Sequence, residues 1–111
     1  MYIRRGRIPA GDAVLERNGI RFVWNHEKAE SNCRKHGVSF EEACDVFFDP
    51  FIRLLHSEVI GGEEREAAIG MTEDWRLVVV AYTFRAVAIR LISARPATPR
   101  ERANYEDPTD S

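Results

Sequence analysis

Apolar positions along the chain fall into short β-forming runs broken by two helical stretches. Residues 20–24 (I-R-F-V-W) form the first run. Asn25 then stands where a helix cap belongs, with Glu27 and Glu30 early and Arg34, Lys35 and His36 in the last turn, the order that a helix dipole favours. Gly37 suits the left-handed residue that ends such a helix, and Ala29, Asn32 and Cys33 make its inward side. Ser39 and Glu42 spell a capping box (S-F-E-E), with Val38 and Ala43 placed as a hydrophobic staple. Phe40, Ala43, Cys44 and Phe47 follow at i, i+3, i+4 and i+7, one apolar stripe, until Asp49-Pro50 stops the helix. Beyond it, residues 51–57, 65–71, 76–83 and 87–94 read as strands, separated by Gly61-Gly62, a turn at 72–75 and a hairpin around Phe84-Arg85-Ala86. Thr98, Pro99 and Glu101 open a last helix with a second capping box.

Residues 1–19 show no sustained periodicity and read as an N-terminal extension. Residues 20–106 read as one domain and 107–111 as a frayed tail. The order strand, helix, helix, four strands, helix predicts an α+β fold. In it two N-terminal helices pack on one face of a mostly antiparallel sheet, with a C-terminal helix added.

The chain has 111 residues, 44% of them hydrophobic, enough for one core. No run reaches the roughly 18–20 apolar residues that span a bilayer. Arg4, Arg5 and Arg7 are not followed by the apolar stretch of a secretory signal, so a cytoplasmic protein without membrane contact is expected. Cys33 and Cys44 lack C-x-x-C spacing and read as reduced core or near-core thiols. Net charge is −2, which argues against a non-specific nucleic-acid binder. Its distribution changes that picture. Residues 21–75 hold 6 Lys/Arg against 12 Asp/Glu, whereas residues 76–102 hold 6 Arg against a single Glu.

That basic end alternates β-forming hydrophobes with arginine. Guanidinium groups displayed from a rigid sheet grip phosphate well, which points to an anion such as RNA. Along a regular strand, Arg90 and Arg95 fall on opposite faces unless a bulge intervenes. Arg85 at the hairpin and Arg95 at the strand end are then the better phosphate ligands. Arg90 reads equally as the partner of a carboxylate on a neighbouring element.

The run W-N-H-E-K-A-E-S-N-C-R-K-H-G-V-S-F-E-E-A-C-D-V-F-F-D-P (residues 24–50) resembles the start of BrnT-type toxins. So do G-E-E-R-E-A-A-I-G (62–70) and I-R-L-I-S-A-R-P-A-T-P-R-E-R-A-N-Y (89–105). The family carries Asp where Asn25 stands, Gly where Ala86 stands and a polar residue where Phe84 stands. The resemblance implies a small RelE-like ribonuclease toxin of a type II pair that cleaves RNA and inhibits translation. It also implies neutralisation by BrnA, a ribbon-helix-helix antitoxin through which alone operator DNA is reached; a heterotetramer with that antitoxin is one arrangement.

RNA can be cut by its own 2′-hydroxyl, given a base, a group that neutralises the phosphorane and an acid for the leaving 5′-oxygen. His26, His36 and His56 have no ligand-like spacing, so a metal-independent reaction without cofactor is expected. Lys35 and His36 are candidates for phosphate contact and proton transfer, or else plain occupants of a helix end. Glu64 and Arg65 read as base and phosphate ligand, or as a cross-strand ion pair, with Glu63 and Glu66 as neighbouring carboxylates. Phe84 is a candidate base-stacking surface. A catalytically inactive protein that serves its antitoxin as a co-repressor scaffold is the alternative function.

Overall fold

In a computed structural model the protein is described over residues 11–107. The chain order is β1 (Asp12–Arg17), β2 (Ile20–Asn25), α1 (His26–His36), α2 (Phe40–Ala43), a 3-10 helix (Cys44–Phe48), β3 (Arg53–Ile60), β4 (Glu63–Met71), β5 (Leu77–Arg85), β6 (Ala88–Pro96) and α3 (Pro99–Glu106). The strands form one sheet in the order β1-β2-β6-β5-β4-β3.

Three features of the expected architecture are overturned. Among the described residues a hairpin of two strands precedes the helices where a single strand was expected, because residues 12–17, read as part of an extension, pair antiparallel with β2. Their hairpin turns at Asn18-Gly19, with φ of 51° and 83°. Asn-Gly with two positive φ values is the strongest short-range hairpin signal in the chain, and it lies inside the segment that shows no periodicity. Secondly, the sheet is mixed, because β2 runs parallel to β6. Finally, the helices are not gathered on one side. Tyr105 of α3 packs on Ala67, Ile69, Leu77 and Val79, the face opposite the one that α1 and α2 cover.

Helix α1 is capped as its sequence suggests. The Asn25 side chain accepts from the Lys28 amide, and Gly37 takes the left-handed conformation at φ 71°. Its buried residue is Asn32, whose amide donates to the Val38 and Ala94 carbonyls (3.1 and 2.8 Å) and accepts from the Ala94 amide (3.1 Å). One side chain thus satisfies three backbone groups and fixes α1 on β6. Cys33 is exposed, contrary to the core position expected of it, while Cys44 is buried and burial pushes its thiol up to about 12.

Helix α2 lasts only four residues before tightening into the 3-10 segment. Ser39 caps it, but Glu42 does not close the box. Its carboxylate instead accepts from Thr72 and Arg76 across the β4–β5 turn (3.1 and 2.9 Å). The 3-10 segment lies close on β4. A Cβ added at Gly70 would stand 2.8 Å from Val46 Cγ1, which accounts for a glycine inside a strand. No helix among the described residues is long and apolar enough to cross a membrane.

Candidate functional site

The β5–β6 ladder contains a bulge. Ala81 faces Ser93 while Tyr82 faces Leu91, so Ile92 has no partner. Skipping one residue restores the parity that a regular strand would break. Arg95 lies opposite Val79, and Arg90 opposite Thr83. Val79 belongs to the cluster under α3, so Arg90 and Arg95 share that face, and Arg85 joins them two residues beyond Thr83. On β4 the same alternation places Arg65 in line with Ala67 and Ile69. Helix α3 covers one end of this face. The other end carries Arg65, Arg85 and Arg90.

Each of these arginines is held by a carboxylate. Glu63 accepts from Arg85 Nε and Nη2 at 3.1 and 2.9 Å, and Arg65 Nε stands 3.6 Å from its other oxygen. The hydrogen bond from Arg85 comes first among the causes that depress the Glu63 carboxyl. Arg90 reaches across β2 to Asp12 at 2.9 Å, which satisfies the reading of Arg90 as a carboxylate partner and lowers the Asp12 carboxyl. Arg95 makes a two-pronged contact with Glu101, 2.8 Å for each prong, and holds the Glu101 carboxyl at about 2. A guanidinium has five donors, so pairing of this kind orients it without exhausting it. Arg65 Nε is a buried donor that spends no hydrogen bond.

The remaining candidates fall elsewhere. Glu64 shares its parity with Glu66 and Ala68, the face of α1 and α2, and its carbonyl accepts from Thr83 Oγ1 at 2.7 Å. Phe84 lies on that face too, edge-on to Tyr82 with ring centres 5.7 Å apart, and is 65% exposed. Lys35 and His36 end α1, where Arg76 donates to the Gly37 carbonyl at 2.8 Å. Of the eight sequence candidates, Arg65, Arg85, Arg90 and Arg95 therefore share one face, with Arg95 at its α3 end and the other three at the opposite end, and Lys35, His36, Glu64 and Phe84 do not join them.

Sequence reasoning passed over His56. Paired with Ala67, it is an exposed imidazole on the arginine face, beside the Glu58–Arg65 pair of strand positions. Its strand position would have placed it there once the register was known. The structural carboxylates Asp12 and Glu101 come from elements whose placement no local pattern encodes. No group of three His, Cys, Asp or Glu suited to a metal occurs among the described residues.

A second concavity lies at the far end of the sheet, where β4 passes into β5. It has a volume of about 560 Å³ and is walled by Phe48, Phe51, Trp75 and Tyr105. Trp75 is 83% exposed and Phe51 72%.

Comparison with known proteins places this architecture. A crystal structure of the Brucella abortus ribonuclease toxin BrnT superposes with a TM-score of 0.54 at 22% identity, covering 68% of this chain and 92% of that one, a likeness of fold. No curated relative matches the chain. The family model described as "Ribonuclease toxin, BrnT, of type II toxin-antitoxin system" matches residues 24–101, from the end of β2 into α3. The chain belongs to the BrnT family of ribonuclease toxins.

Proposed function

We propose that this protein cleaves RNA without a metal ion, so inhibiting translation, and is neutralised by a BrnA-like ribbon-helix-helix antitoxin that alone carries it to operator DNA. The observation that carries this reading is four arginines on one sheet face, with Arg90 brought into line with Arg95 by the bulge at Ile92. On that face Arg65, Arg85 and Arg90 meet the scissile phosphate and its neighbours, and the guanidinium nitrogens not engaged by Glu63 and Asp12 donate to the phosphorane. Arg95 has a second duty as the anchor of α3. Glu63 is a poor proton carrier, because Arg85 stabilises its ionised form. Glu64 and His36 lie off the arginine face, so proton transfer passes to His56, an exposed imidazole on that face.

The test compares wild type with Arg85→Ala, His56→Ala and His36→Ala, each checked for folding, in growth arrest on induction and in RNA cleavage with a chelator present. Wild type is expected to arrest growth and to cut RNA. Arg85→Ala should lose about a hundredfold in rate, His56→Ala a comparable amount, and His36→Ala little. A folded wild type that neither arrests growth nor cuts RNA would move the function to an antitoxin-bound co-repressor scaffold. Loss of activity in His36→Ala with His56→Ala intact would return the proton-transfer role to the end of α1.

A further inference from the structure

We infer that the aromatic pocket at the β4–β5 end is a docking site for a protein partner, and that it receives a basic side chain, arginine or lysine. For a type II toxin the partner is its antitoxin, so the inference rests on that family reading.

Three observations converge. The first is shape and exposure. The pocket is of ligand size, and two of its four aromatic walls stand largely in solvent. Exposed Trp and Phe at a concavity are the residue types that anchor protein interfaces. The second is charge. Asp45, Asp49 and Glu73 line the pocket against one cation, Arg17. Asp49 is committed internally, accepting from the Met71 and Phe51 amides and the Tyr105 hydroxyl. Glu73 is held more loosely: its side chain is 81% exposed and meets Arg17 at 3.5 Å. Aromatic faces rimmed by carboxylate attract a cation and repel phosphate, so RNA is the wrong ligand here. The third is an example inside the molecule. Arg17 already lays its guanidinium 4.8 Å above the Phe48 ring while pairing with Asp45 at 2.7 Å. The outer walls, Phe51 and Trp75, present a second place of the same chemistry.

Trp75 also sits at φ 62°, a conformation that bulky residues avoid. The turn holds it there: its amide donates to the Thr72 carbonyl at 3.0 Å, and the Thr72 amide donates to the Arg76 carbonyl at 2.8 Å. A large aromatic kept at a strained and solvated position, where glycine would fold more easily, is accounted for by a contact made outside the chain. The location is apart from the RNA face. Met71 borders the pocket at the end of β4, whereas Glu63 begins that strand beside Arg85, about 26 Å away along nine residues.

The test follows the Trp75 indole N–H by nitrogen-15 NMR, with buried Trp24 as internal control. The probes are N-acetyl-arginine methylamide and N-acetyl-glutamate methylamide. The Trp75 signal should shift saturably with the arginine probe and not with the glutamate one, and Glu73→Gln, an exposed change, should weaken the response. Purified antitoxin should bind Trp75→Ala about tenfold more weakly than wild type. Equal responses to both probes, unchanged antitoxin affinity, or a loss confined to RNA binding would each overturn the inference. These are binding measurements, so they read the pocket whether or not the chain cuts RNA.

Discussion

Ala86 and Trp75 occupy backbone positions that suit glycine, and they do so for different reasons. Ala86 lies in the two-residue β5–β6 turn at φ 53°, where the BrnT pattern carries glycine, and its side chain is exposed. Nothing in the turn repays its strain. Ala86→Gly is therefore expected to raise stability by about 1 kcal/mol, read as a higher denaturant midpoint at unchanged slope. The departure was visible in the sequence, although its cost could be assigned only once φ was known. Cys33 shows the converse. Its spacing on α1 matched the inward stripe, but the neighbouring Asn32 takes the place against the Ala94 backbone and the thiol is exposed. Asn32 was legible as an inward residue, but its hydrogen bonds to β6 depend on a strand 62 positions on.

Among the helices, α3 was the most legible and α2 the least. Both begin with the same capping-box signature. At Thr98 the box closes, with Glu101 accepting from the Thr98 amide at 2.9 Å while it also holds Arg95. At Ser39 it stays half open, because Arg76 and Thr72, more than thirty positions away, compete for Glu42 and win. A local rule holds until a distant charge offers a better partner. The doubly used Glu101 has a consequence in acid. Its folded carboxyl titrates near 2, below its ordinary value of 4.5. Its contribution is thus complete above about pH 4.5 and is lost as pH falls towards 2. Thermal melts should show wild type losing stability across that window, and Glu101→Gln, already lower at neutral pH, should show a shallower acid decline.

For the whole molecule, the alternation of apolar residues located most strands and said nothing of their order. The parallel pairing of β2 with β6 joins residues 21–23 to 88–90, a contact that no short-range pattern records. The same pairing brings Asp12 to Arg90, and so recruits β1 to the arginine face. Asp12 is almost buried (7% exposed) and Arg90 is 25% exposed. Removing the carboxylate by Asp12→Ala should therefore cost about 1–3 kcal/mol, checked by equilibrium unfolding. Asp12→Asn should cost less, because it keeps an acceptor.

The central position of β6 also bears on how such a protein can be made. Strand β6, the last in chain order among the described residues, lies between β2 and β5, so the β1–β2 hairpin and the three strands of the other side share no ladder until it inserts. Arg90 and Arg95 arrive on that strand. A nascent chain thus emerges with its arginine face unfinished, and that face assembles only when β6 takes its place in the sheet.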